Sequence, residues 1–242
     1  MFNSKTILSF IGARAGSKGL KNKNISDLSG KPLIAWTIEA SLGSEYVDRT
    51  LVSTDGKQIA QAARDCGADV PFLRPAQLAM DESLLDEAIQ HGVRWLKQEE
   101  KRSYDYILLL QPTSPLRTAR HIDAAIECYF QNKKSGKDIL ISIIPAPKKV
   151  GWLMHKRDHS YIDFCFYKKR RKSRRQELPD YYLPNGVIYF GPTEVMMHLS
   201  KNTSRMLPFM MDQGVSIDID SPEDLKSAAH VLNNLKQTGV NV

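Results

Sequence analysis

Short apolar runs alternate with stretches of helical spacing through the first 145 residues of this 242-residue chain, and that alternation restricts the fold more than any single motif. ILSFIG, starting at Ile7, is bounded by glycine and charge and is too short for a helix, which needs about 10 residues of 3.6-residue periodicity. It reads as a buried strand. Residues 30–42 space Leu33, Ile34, Ile38 and Leu42 as a helix does, with Pro32 suited to the first turn. TLVSTD, from Thr50, reads as a strand, 56–66 as a helix, 68–73 as a strand closed by Arg74 and Pro75, and 83–101 as a long amphipathic helix. Residues 106–110 are almost wholly apolar, the mark of a strand covered on both faces. The prolines of QPTSPLR stop it, Thr118 caps a helix to about residue 132, and 138–144 is a further strand. Strand–helix–strand units repeated in this way predict an α/β fold, a three-layer, mainly parallel Rossmann-like sheet with helices on both sides.

Between about residues 145 and 184 the rhythm fails, leaving shorter β-like pieces such as 161–167 and the octet KKRRKSRR at 168–175. This stretch is expected to be an arm inserted into a single domain spanning 1–242, suited to self-association. The α/β pattern then resumes with NGVIYF at 185–190, a helix over 193–200, a strand near Ile217 and a last helix from Pro222 to about Gln237. Net charge is +7, but the octet holds 7 of the 34 lysines and arginines, and the remaining 27 equal the 27 acids. The excess is therefore a local patch, which does not fit a nucleic-acid protein with a broad basic face. Cys66, Cys128 and Cys165 are scattered and odd in number, so neither a disulfide framework nor a zinc knuckle is indicated, and a reducing cytoplasmic setting fits. No stretch approaches the roughly 20 apolar residues of a membrane span. The first apolar run, which follows Lys5 as in a signal peptide, is cut short by Arg14 and Lys18 and reads as the first strand.

Open α/β sheets bind ligands beyond the carboxyl ends of their strands. Arg14, Asp55, Gln111 and the residues after Val215 are all expected there, on loops that converge on one cleft. The first strand runs into ARAGSKGLKNKN, in which Gly12, Gly16 and Gly19 allow tight turning and close backbone approach to a ligand. Arg14, Lys18, Lys21 and Lys23 suit a polyphosphate. The spacing is neither that of a P-loop nor G-x-G-x-x-G, so the loop binds phosphate another way or is a solvated surface loop. Near the other end, strand alternation in GVSIDIDSPEDL sends Asp218 and Asp220 the same way, about 6.6 Å apart at Cα. Two like charges so close favour a cation between them, and Mg2+ takes one or two carboxylates while completing its shell with water and phosphate oxygens. The rival reading is the solvated acidic face of an edge strand. Ser221 as N-cap, Pro222 at the first helical position and Asp224 nearby stop the strand after Asp220. Cations for phosphates and carboxylates for a metal together point to phosphoryl or nucleotidyl transfer, which asks mainly for positioning and neutralisation of charge. No Ser-His-Asp or Cys-His arrangement competes, and the six histidines lack metal-ligand spacing.

On ARAGSKGLKNKN, VSTD, FLRPAQLA, LLQPTSPLR, RQELP, LPNGVIY and SIDIDSPEDL, in order and almost end to end, the chain resembles the bacterial CMP-nonulosonate synthetases, the acylneuraminate cytidylyltransferases. The resemblance implies a nucleotidyltransferase sheet and transfer of CMP from CTP to the anomeric hydroxyl of a nine-carbon 2-keto-3-deoxy acid, with release of pyrophosphate. It implies Mg2+ as cofactor, with Mn2+ as a substitute, and a homodimer in which each arm closes the other's sugar site. Arg14, Lys18, Lys23 and Asn24 would hold the phosphates and ribose, and Arg74 and Ser83 would read the cytosine. Gln111, Arg175, Asn185 and Tyr189 would meet the sugar, with the fork of Arg175 on its carboxylate. Asp218 and Asp220 would bind the metal, and Arg14, Lys23 and Asp218 would act in the chemical step. The chain departs from the sialic acid enzymes at KKVGWL, where Trp152 or a neighbour replaces a lysine. That favours the legionaminic and pseudaminic branch, with Lys148 and Lys149 still near enough to reach in. The rival expectations are a 3-deoxy-manno-octulosonate cytidylyltransferase, against which QPTSPLR and RQELP weigh, and a nucleotide- or RNA-binding module that uses the octet.

Overall fold

Every residue from Ile7 to Ile11 is buried, a pattern that only a strand covered on both faces tolerates, and this strand, β1 (Ile7–Gly12), lies inside the sheet. The structure, a computed structural model, describes residues 1–16, 19–157, 162–166, 174, 176, 178–201 and 205–237. Lys18, Arg175 and the octet apart from residue 174 lie outside the described residues.

A hairpin of β2 (Asp27–Leu28) and β3 (Lys31–Pro32) leads into α1 (Leu33–Leu42), and then come β4 (Arg49–Ser53) and α2 (Lys57–Asp65). α3 (Leu85–Glu99), β5 (Tyr106–Leu110), α4 (Ala119–Asn132) and β6 (Ile139–Pro145) follow. The hairpin β7 (Met154–Lys156) and β8 (Ile162–Phe164) precedes β9 (Tyr182–Pro192), α5 (Thr193–Met196), β10 (Met206–Met210) and α6 (Pro222–Gln237). The six-stranded sheet has the order β10-β6-β9-β5-β1-β4. β1 pairs in parallel with β4 and β5, and β10 with β6, while β9 runs antiparallel between β5 and β6.

The two faces of the sheet bury different helices. Ile7 and Ile11 pack with Ile34, Ile59 and Ile122 of α1, α2 and α4, whereas Leu8 and Phe10 pack with Ala88, Ile89 and Leu96 of α3. This is the expected three-layer arrangement. A third cluster joins Leu28, Trp36 and Ile219 to Ala228 and Leu232 of α6.

Four expectations need correction, the first being the helix over 193–200, which ends at Met196. Pro32 is the extended residue before α1 and not in its first turn, because the hairpin captures it opposite Asp27. Residues 68–73 form no strand: Asp69 makes a bridge to Leu51, with Val52 N donating to Asp69 O at 2.8 Å, and the missing N–H of Pro71 ends the pairing. The segment around Ile217 is not a strand either. Asp212 caps a tight turn at Gln213–Val215, accepting from Gly214 N at 2.6 Å, and this steers the chain off the sheet edge. That edge belongs to β10, which the sequence reading missed; Pro208 interrupts its pattern, and an edge strand is where proline is admitted.

The excursion leaves after β6 and returns through β9, its base closed by pairing of Pro145 with Tyr182. Within it the described residues form a turn over Lys148–Trp152 and the β7–β8 hairpin.

Candidate functional site

The carboxyl ends of β1, β4 and β5 and the irregular segment before α6 come together at one edge of the sheet. A hollow of about 310 Å³ is lined by Arg14, Lys23, Asn24, Gln111, Thr113 and Asp220. A second, also of about 310 Å³, adjoins it through Gly12, Arg14 and Leu85 and contains Arg74 and Ser83.

On the basic side, the backbone after β1 is tied down where Ala15 N donates to Asp55 Oδ1 at 2.8 Å, so the residue past β4 shapes the cationic loop. Asn24 donates from Nδ2 to Arg14 O at 3.0 Å, while its Oδ1 is buried with no hydrogen-bond partner among the described residues. Lys23 Nζ stands 2.8 Å from Asp220 Oδ1, and Arg14 Nη1 stands 2.7 Å from Asp81 Oδ1. The basic turn and the acidic pair, nearly 200 residues apart in the chain, thus face each other directly. Gly19 makes this approach feasible, since a Cβ there would lie 2.4 Å from the carbonyl oxygen of Asp220.

On the acidic side, Ile219 is wholly buried under α6 and its N–H donates to Thr113 O at 2.8 Å. The flanking Asp218 and Asp220 point outward, so the alternation expected of a strand survives without a ladder. Protein packed around the Asp218 carboxyl pushes its pKa up, Asp220 and Asp224 add to this, and the hydrogen bond from Thr113 and the charge of Lys23 oppose it. Asp224 is committed to the helix start: it accepts from Ser221 N at 2.8 Å and Oγ at 2.7 Å, which hold its pKa down. This reciprocal cap with Ser221 is the expected one. Asp218 and Asp220 therefore remain the carboxylates available to a cation. The Asp218 shift comes first from burial and then from Asp220 and Asp224, and among the described residues no cluster of three metal-binding side chains exists. Two carboxylates beside a polyphosphate hollow fit Mg2+ better than a cation that needs a full protein cage.

Arg74 is buried below the second hollow, with Nε donating to Ser53 Oγ at 3.0 Å. Burial pulls its pKa down to about 10, Asp55 opposes this and Arg14 adds to it. Ser83 shapes the loop over that hollow, donating to Gln77 O at 2.9 Å and accepting from Met80 N at 3.1 Å.

Gln111 follows β5, and its side-chain amide lies against Gly186 of β9, which has φ of 73° and whose added Cβ would come within 3.2 Å of Oε1. Asn185 has its carboxamide engaged within the protein: Oδ1 accepts from Ser142 Oγ at 2.5 Å and Nδ2 donates to Ser216 Oγ at 2.9 Å. It anchors the segment that carries Asp218. Burial raises the Tyr189 pKa, and Asp218 adds to this. Lys148 pairs with Asp180 at 3.4 Å.

Sequence reasoning gave no role to Arg117, which is wholly buried and donates to Val187 O at 3.0 Å, Thr37 Oγ1 at 2.6 Å and Gln111 O at 3.3 Å. It staples β5, β9 and α1 beneath the cleft, and burial lowers its pKa to about 9. Its only sequence signal was an arginine between a proline-bound loop and a helix cap.

The profile of the family described as Cytidylyltransferase matches residues 8–174. An N-acylneuraminate cytidylyltransferase of Escherichia coli is 35% identical over 223 residues, covering 92% of this chain and 51% of that protein. The chain therefore spans about half the length of that relative. A CMP-N,N'-diacetyllegionaminic acid synthase of Legionella pneumophila is 37% identical over 220 residues, 90% of this chain and 92% of that one. A pseudaminic acid cytidylyltransferase of Campylobacter jejuni is 31% identical over 224 residues, 91% and 94% of the two chains. Among solved structures, a CMP:2-keto-3-deoxy-manno-octonic acid synthetase complexed with CTP shares the fold, with a TM-score of 0.69 at 17% identity, covering 95% of this chain and 99% of that one.

Proposed function

The chain belongs to the cytidylyltransferase family, and from that premise we propose that it transfers CMP from CTP to a nine-carbon 2-keto-3-deoxy sugar acid of the sialic, legionaminic or pseudaminic type. The observation that carries this reading is the meeting of Lys23 with Asp220 at 2.8 Å, beside Asp218, at the carboxyl edge of the sheet. A triphosphate entering there finds cations on one wall and carboxylates for its metal on the other.

In this reading Arg14 and Lys23, with Lys18 and the backbone of the loop, hold the phosphates, and the buried Oδ1 of Asn24 accepts from a ribose hydroxyl. Arg74 and the Ser83 loop enclose the base. Asp218 and Asp220 would hold Mg2+, for which Mn2+ substitutes, and the ion supplies neutralisation of phosphate charge when bound. The anomeric oxygen forms its bond to the α-phosphorus as the bond to the pyrophosphate oxygen breaks. The hydroxyl proton passes to an acceptor in the cleft, and Asp218 is the carboxylate this reading assigns to that task. Gln111 and Tyr189 line the side from which the sugar approaches, and Arg175 supplies the fork for its carboxylate. Asn185 contributes by holding the acid-bearing segment.

The excursion over 145–184 is read as a dimerisation arm. Its described part exposes Leu153, Met154, Ile162 and Phe166, a run of apolar side chains that a second copy would cover. No helix among the described residues is long and apolar enough to cross a membrane.

Purified protein with CTP and Mg2+ should release pyrophosphate when given nonulosonic acids, with a higher kcat/KM for legionaminic or pseudaminic than for sialic acid. No release with any of them would overturn the proposal, and a preference for the eight-carbon 3-deoxy-manno-octulosonic acid would transfer it to that substrate.

A further inference from the structure

Arg14 and Lys23 are the cations that line the phosphate hollow among the described residues, and each is met by a carboxylate. Asp220, which meets Lys23, already has a place as a proposed metal ligand. Asp81, which meets Arg14, has none. It comes from the loop between the Ala76–Leu78 turn and α3, a loop held in shape by the bonds from Ser83 to Gln77 and Met80. Arg14 and Asp81 both line the second hollow, so their ion pair stands at the boundary between the two. The side chains are 35% and 41% exposed, which leaves the pair open to an incoming anion. A pair so solvated is weak and exchanges partners readily. A polyphosphate offers the guanidinium several charged oxygens where Asp81 offers one carboxylate.

We infer that Asp81 is a placeholder for nucleotide phosphate: it orients and neutralises Arg14 in the free protein and surrenders it to the triphosphate. The inference rests on reading the hollow as a CTP site and names a residue that tunes affinity there. Because the exchange has to be won by the ligand, Asp81 weakens only those ligands that take Arg14 from it.

Isothermal titration of CTP, and separately of cytidine, into the wild type and Asp81→Asn tests this. The variant should bind CTP about two- to fivefold more tightly, with the gap closing at high salt. Cytidine, which has no phosphate to compete for Arg14, should bind both proteins alike. Asp81→Ala should repeat the gain, and Asp81→Glu, which keeps the carboxylate, should not. Unchanged or weaker CTP binding in both Asp81→Asn and Asp81→Ala would overturn the placeholder, as would an equal gain for cytidine. Failure of the wild type to bind CTP at all would instead remove the parent reading.

Discussion

Asp218 combines two properties that seldom meet in a surface carboxylate: neighbours that favour its protonated form and a position facing a basic turn. Replacing it with Asn removes the charge but keeps the shape and the contact with Thr113. Turnover of Asp218→Asn should fall by on the order of 10²-fold or more, with CTP still bound weakly, as rapid-quench kinetics and titration would measure. Wild-type turnover would remove Asp218 from the chemistry. Residues of this kind were legible in the sequence because a charge has to serve some purpose: Arg14, Lys23 and Asp220 line one hollow with the neutral Asn24, and Asp218 lies close enough to feel Lys23 and Asp220. Asp81 and Arg117 were not legible, since one looks like an ordinary loop acid and the other like a helix-preceding base. Their work depends on which backbone lies across from them, and spacing within one segment carries no such information.

Two loops that approach as closely as the basic turn and the segment before α6 depend on a missing side chain. Gly19→Ala would place a methyl carbon 2.4 Å from a backbone oxygen, which cannot swing aside as a side chain would. We expect at least a tenfold loss of kcat/KM for CTP with a much smaller change in thermal stability, measured by steady-state kinetics and calorimetry. The turn before β6 offers a pH test. Asp138 is buried and accepts from Lys134 N at 2.7 Å and Ser135 N at 2.9 Å; these bonds, with Arg205, hold its pKa below the usual carboxylate value. A depressed folded-state pKa gives stability that is present above the unfolded value, about 3.9, and is lost as pH falls through the folded one. Asp138→Asn should therefore melt lower than wild type near pH 7, with the gap narrowing below about pH 4 in a melting series. Elements defined by their own burial, such as β1, β5 and the capped α4, were readable from composition and caps. Residues 68–73 and the segment around Ile217 have a local pattern that suits a strand, but Pro71 limits the first to a single bridge and the Asp212 turn takes the second off the sheet edge.

At the scale of the molecule, the layered α/β order was legible because each face of the sheet draws on its own set of helices. The antiparallel course of β9 was not, because the direction of a strand depends on the path of the chain before it. Self-association also belongs to this scale. With Leu153 and Phe166 both exposed on the arm, the double variant Leu153→Asp, Phe166→Asp should sediment as a monomer where wild type sediments as a dimer. It should lose turnover with the sugar acid while keeping affinity for CTP. Monomeric wild type would end the dimer reading.

The base of the excursion is itself a joint. Pro145 and Tyr182 sit opposite each other in the ladder, so the chain departs and re-enters at the same rung. What is inserted there can lengthen, shorten or change its chemistry without altering the spacing of the strands behind it. Under the proposed function, an exchanged excursion would carry Arg175 away with it and leave Gln111, Asn185 and Tyr189 where they stand.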